Sequence, residues 1–156
     1  LHEEARGPEK ALRDLDAAFL ARSFAVNAIG AALLMKHICP RLPRQGRSVF
    51  ANLSARVGSI GDNRLGGWYS YRASKAALNQ ITHTAAIELS RTHPGAICVA
   101  LHPGTVMTRL SRPFVRAGTP AVAPVSAAKN LLSVISNLQP RDNGSFLDWQ
   151  GKAIPW

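Results

Sequence analysis

The stretch SVFANLSARVGSIGDNRLGGWYSYRASKAALN, residues 48–79, changes its character twice. Its first seven residues are short, apolar and rich in strand formers, and they read as a buried strand. Residues 55–67 carry Gly58, Gly61, Gly66 and Gly67 with no apolar period, which is a loop. From position 68 the run becomes alanine-rich and predicts a helix over 68–91. A strand that opens at its carboxyl end into a glycine-rich loop and then a helix is the repeating unit of an α/β sheet.

Upstream, ALRDLDAAFLARSFAVNAIGAALLMKHICPRL places Leu20, Phe24, Ala31, Leu34 and Ile38 at helical spacing, with Asp16 as N-cap and Pro40, Pro43 and Gly46 ending the run. Downstream, HPGAICVALHPGT reads as a turn, a wholly apolar strand and a second loop. An irregular stretch over 106–123 follows, then a helix in VSAAKNLLSVISNL and a strand in GSFLDWQ. Helix, strand, helix, strand, helix, strand predicts a single α/β domain over 1–156, with a doubly wound parallel sheet covered on both faces. In such sheets the ligand crevice lies beyond the carboxyl ends of the strands. The loop after the first strand, the helix start at Tyr71 and Lys75, and the His102-Pro103-Gly104 loop all converge there.

Composition narrows the class. With 156 residues and 46% apolar content the chain is long enough to bury a core. The longest apolar stretch, AVNAIGAALLM, is interrupted by Asn27 and ends at Lys36, so no membrane span is expected. The opening LHEEARGPEK is acidic and polar rather than basic then apolar, and predicts a cytoplasmic protein. Cys39 and Cys98 have no paired spacing and read as reduced, structural thiols, and no histidine pattern suggests a metal site. The net charge of +10 would suit an acidic partner. Its only dense group, Arg41, Arg44 and Arg47, lies in a Pro/Gly connector without interleaved aromatics, so nucleic-acid binding is not expected.

Tyr71 and Lys75 stand four apart, on one face of the predicted helix. An ammonium one turn away favours phenolate and predicts a lowered tyrosine pKa, which would let Tyr71 exchange a proton near neutrality. Ser54 and Ser59 could each present a hydroxyl to a carbonyl oxygen. The same residues also fit a packed ring, a solvated lysine and two turn serines. Asn27, an amide within an apolar helix, must find a partner if buried.

The segment YSYRASKAALN resembles the Tyr-x-x-x-Lys active-site segment of the short-chain dehydrogenase/reductases. Residues 48–79 are particularly similar to the C-factor-like and sniffer-type carbonyl reductase branch. FAVNAIG resembles the asparagine segment of that family, and LHPGTVMT its Pro-Gly loop and threonine. Four motifs in order are far more specific than one. The resemblance implies a Rossmann-like fold and hydride transfer between NAD or NADP and a small carbonyl or alcohol. It makes Tyr71 the general acid/base and Lys75 the group that holds the nicotinamide ribose and lowers the tyrosine pKa. Asn27 would position a water in the proton relay, and Pro103, Gly104 and Thr108 would border the nicotinamide. Family members also imply a homodimer or homotetramer.

The serine position departs from the pattern. Counted from VGSI, it falls on Ala55, so Ser54 is expected to shift into the role, with Ser59 close enough to compete. The 156 residues contain no Gly-x-x-x-Gly-x-Gly turn. The chain therefore resembles the C-terminal, catalytic half of such an enzyme, with the pyrophosphate-binding motif absent and activity alone in doubt. The alternative is a non-catalytic oligomerisation module, in which the small faces Ala28, Ala31, Ala32 and Ala73, Ala76, Ala77 pack helices between chains. Trp149 and Trp156 could cap the substrate pocket or pack at a subunit contact.

Overall fold

The computed structural model describes residues 7–109, 111–115 and 120–156. Residues 1–6 of the acidic opening, and positions 110 and 116–119 of the irregular stretch, lie outside the described residues. Among the described residues, three parallel strands form one sheet in the order β1 (Ser48–Leu53), β2 (Ala96–His102), β3 (Phe146–Asp148). The chain crosses from β1 to β2 through α3 (Tyr69–Ser90) and from β2 to β3 through α4 (Pro124–Asn137). Before the sheet come α1 (Ala17–Phe24), a π-helical segment (Ala25–Ile29) and α2 (Gly30–Ile38).

The central strand shows why the sheet is covered twice. Every residue from Ala96 to Leu101 is buried, and alternate side chains point to opposite faces. Ala96 and Cys98 join Met35, Cys39, Ala86 and Leu89 of the α2/α3 side. Ile97, Val99 and Leu101 join Val134 and Leu138 at α4. A strand buried on both faces cannot alternate polar and apolar residues, which is the wholly apolar pattern of AICVAL.

Asp16 caps α1 as its sequence position predicts, accepting the Phe19 N–H at 2.8 Å. The apolar face of this first helical run is not the expected one. Leu34 and Ile38 are exposed, and the buried positions are Phe19, Ser23, Ala28, Met35 and Cys39. The step of five from Ser23 to Ala28 is the π-helical segment. One extra residue in the turn rotates everything after it by about 100°, so the face buried before position 25 is not continued at its α-helical spacing.

The helical run Ala17–Arg41, 25 residues, is long and apolar enough by length and composition alone to cross a membrane, a test that a core helix also passes. Its buried side chains pack toward α3 and the sheet. The arginine cluster is also placed: Arg41 donates to the His37 carbonyl, and Arg47 to the Leu138 carbonyl at 3.2 Å and to that of Ile135. Two of the three guanidiniums thus donate to backbone carbonyls at the ends of α2 and α4.

Candidate active site

Three consecutive residues in the left-handed region, Gly66 (φ 64°), Gly67 (φ 63°) and Trp68 (φ 55°), turn the loop into α3. Glycine adopts that conformation freely, whereas a tryptophan does so at a cost of about 1–2 kcal/mol. The turn is held from outside. Arg72 donates to the carbonyls of Gly66, Gly67 and Val57. Glu9, buried to 3% exposure, accepts the Ser70 N–H at 3.3 Å and the Ser70 hydroxyl. A carboxylate at this helix N-terminus also meets the positive end of the helix dipole.

The first turns of α3 carry Tyr71 and Lys75. The Lys75 ammonium donates to the Leu53 carbonyl at 2.9 Å, so the last residue of β1 anchors it at the carboxyl end of the strand. It lies 6.0 Å from the Tyr71 ring centroid, and Trp68 flanks that ring at 6.2 Å. The expected lowering of the tyrosine pKa is not what the geometry gives. Burial pushes the Tyr71 phenol above its ordinary value and the Lys75 ammonium below its own. Both charged forms lose hydration in this half-buried place, and the ammonium's nearest partner is a carbonyl rather than the phenol.

Asn27 reaches the same helix. Its side-chain N–H donates to Ser74 Oγ at 3.0 Å, and the Ser74 hydroxyl donates to the Tyr71 carbonyl at 2.9 Å. The π-helical segment thereby ties to the turn that bears Tyr71 through Ser74, a residue the sequence reading did not single out. The two candidate serines are both engaged. Ser54 donates to Asn79 Oδ1 at 2.6 Å in the interior, one turn beyond Lys75 on α3. Ser59 donates to the Pro155 carbonyl and accepts the Asp62 N–H at 3.0 Å. Ala55 follows Ser54 at half-burial.

Beyond β2, Gly104 has φ 77°, and a Cβ there would lie 2.9 Å from Trp149 Cδ1. Trp149 therefore lies against the bare backbone of the Pro103-Gly104 loop. Thr108 is exposed and shares a reciprocal loop bond with Ser111, whose Oγ accepts the Thr108 N–H at 3.0 Å. Trp156 is elsewhere, stacked on Phe146 at 5.6 Å and beside His83. His102, at the end of β2, is held neutral. Burial, then nearby Arg56, lowers its pKa to about 4 against an opposing pull from Asp148.

This donor set fits one end of a nicotinamide dinucleotide. Lys75 keeps two of its three donors after bonding Leu53, and a phenol stands beside it. The glycine turn that would hold the pyrophosphate is not among these residues.

A family profile described as enoyl-(acyl carrier protein) reductase matches residues 1–137. The C-signal of Myxococcus xanthus is 36% identical over 146 residues, 94% of this chain and 84% of that protein. Among solved structures, an NADPH-bound carbonyl reductase from chicken fatty liver superposes with TM-score 0.83 at 30% identity, over 97% of this chain and 60% of that one. Carbonyl reductase Sniffer of D. melanogaster superposes with TM-score 0.82 at 26% identity, over 96% and 62% respectively. The chain thus spans about three fifths of those two reductases.

Proposed function

The chain belongs to the short-chain dehydrogenase/reductase family of oxidoreductases, and from that premise we propose that it carries the catalytic half of a nicotinamide-dependent carbonyl reductase. The observation that supports this reading most is the anchoring of Lys75 to Leu53 at the carboxyl end of β1, one helical turn from Tyr71. Three of the similar structures hold NADPH or NADP, which supports a nicotinamide cofactor.

Bound nicotinamide supplies or takes the hydride, and orientation and proton transfer fall to the protein. Lys75 would hold the ribose hydroxyls with its remaining donors. Tyr71 would give its phenolic proton to the carbonyl oxygen in reduction and take it back in oxidation. Asn27 would hold a relay water behind Tyr71, with Ser74 fixing the amide. Pro103, Gly104 and Thr108 would border the nicotinamide, and Ser54 would contact the substrate oxygen by exchanging Asn79 for it. Because burial raises the Tyr71 pKa, the acid form persists through neutrality, so reduction slows only as pH rises through that raised value.

The test is nicotinamide oxidation with a panel of small ketones and aldehydes, using the intact natural protein. Tyr71→Phe is expected to lower kcat by about 10²–10⁴ with cofactor binding retained. Full activity in that variant would sink the mechanism.

A second reading has its own support. Val26, Ile29, Leu33 and Leu34 are each at least half exposed along the first helical run. They suit a homodimer or homotetramer contact, and in a purely structural module they would be the functional surface. Sedimentation of a Leu33→Glu, Leu34→Glu variant separates the readings: loss of assembly with nicotinamide turnover never detected favours the module.

A further inference from the structure

A cavity of about 490 Å³ opens between α2 and the carboxyl-terminal part of α3, and the reaction proposed above makes no use of it. Met35 and Leu89 give it apolar wall, while Lys36, Cys39, Glu88 and His93 supply its reactive and charged groups. Cys39 and Cys98 belong to one packed cluster beneath it. Cys98 is fully buried in the middle of β2, so Cys39 is the thiol that faces the cavity. His93 is only 5% exposed, its Nδ1 lies 2.8 Å from Thr92 Oγ1, and its Nε2 has no hydrogen-bond partner. A buried ring nitrogen left unpaired on a cavity wall marks a place where a polar group is accommodated.

We propose that Cys39 and Cys98 form a redox-active dithiol that low-molecular-weight disulfides reach through this cavity. The Cys39 thiolate attacks one sulfur of the external disulfide R–S–S–R, a Cys39–S–S–R bond forms, and R–S⁻ leaves and takes up the proton released from Cys39. The Cys98 thiol then attacks the Cys39 sulfur as its proton passes to the second departing R–S⁻, and a Cys39–Cys98 disulfide remains. Two protein thiols have lost two electrons and two protons, and the external disulfide has become two thiols. Hydrogen bonding from the Cys98 thiol holds Cys39 below the ordinary thiol range, against the opposing effects of burial and Glu88, while Cys98 is held far above it. Cys39 lines the cavity and Cys98 has no exposed surface, so Cys39 meets the external disulfide first and Cys98 resolves. The product would fasten the end of α2 to the centre of the sheet.

The experiment treats the folded natural protein with oxidised glutathione, alkylates the remaining thiols and reads intact mass and peptides. The expected wild-type product is the internal disulfide. Cys98→Val is expected to stop with one glutathionyl group on Cys39, and Cys39→Ala to gain neither modification. Iodoacetamide labelling of the untreated wild type needs no variant to fold, and should alkylate Cys39 about tenfold faster than Cys98. The proposal is overturned if both thiols stay free in the folded protein while the same treatment in denaturant modifies them, or if Cys98 is labelled first.

Discussion

Gly58 lies against the backbone of Lys75: a Cβ at position 58 would sit 2.7 Å from Lys75 Cβ and 2.9 Å from its carbonyl carbon. The loop after β1 therefore packs directly on the helical turn that bears the ammonium, and a side chain there can be accepted only by moving one of them. Gly58→Ala should destabilise the fold by about 1–3 kcal/mol, the usual cost of overpacking. It should also displace the Lys75 ammonium from the Leu53 carbonyl. Urea titration would read the first effect. In the intact protein, kcat falling more than the thermal midpoint predicts would read the second, and an unchanged kcat would mean that the position of Lys75 is unimportant.

Asn27 and Ser74 should behave as one unit. Asn27→Ala leaves the Ser74 hydroxyl bonded to the Tyr71 carbonyl but removes the amide that donates to it, and Ser74→Ala leaves the Asn27 amide without this partner. Each substitution is expected to cost about 1 kcal/mol and roughly tenfold in kcat. In a double-mutant cycle the two should be non-additive by about 0.5–1.5 kcal/mol. Strict additivity would separate Asn27 from the helix turn beneath Tyr71.

The layered architecture was legible because its signals are local. The apolar run over 96–101 is what a strand buried on both faces requires, and the Tyr71/Lys75 spacing becomes informative once a strand and a glycine loop precede it. What was not legible depended on distance along the chain. Glu9 meets Ser70 across 61 positions, and nothing near Glu9 distinguishes it from a solvated loop acid. The π-helical segment was missed because apolar residues sit on both candidate faces after it: Leu34 and Ile38 keep the α-helical period of Leu20 and Phe24, while Met35 and Cys39 are the positions buried. The direction of the Tyr71 shift was misread for a related reason, since spacing reports proximity to Lys75 but not how much water both groups lose.

His102 gives the fold a pH dependence of definite sign. Its pKa falls to about 4 in the folded chain from an ordinary 6.5, so between these values the unfolded chain binds a proton that the folded one refuses. Stability from this group is complete above about pH 6.5 and is lost as pH falls toward 4, by at most about 3 kcal/mol. Carboxylates titrate in the lower part of that window too, so the informative quantity is the difference between wild type and His102→Gln. Urea midpoints measured from pH 7 to 4 should fall more steeply for the wild type. Parallel curves would show that His102 is not the group responsible.

The serine question is open to two substitutions read together. Ser54 has one proton, and it goes to Asn79 Oδ1 at 2.6 Å. Removing it by Ser54→Ala leaves a buried acceptor unpaired, for an expected loss of about 1–2 kcal/mol in stability whatever its role in catalysis. If the hydroxyl also leaves Asn79 to meet the substrate oxygen, carbonyl reduction in the intact protein should fall by a further factor of about 10²–10³, the usual effect of losing one oxyanion donor. Ala55 is half-buried, and it is the position at which the sequence reading expects the serine of the family pattern. Ala55→Ser would restore a hydroxyl at that place. A rise in kcat of about tenfold or more in Ala55→Ser, with Ser54→Ala costing only stability, would mean that the site works without an oxyanion hydroxyl and that Ser54 is structural. A large loss in Ser54→Ala with no gain in Ala55→Ser would mean that the donor has moved one residue back along the chain and breaks its bond to Asn79 on substrate binding.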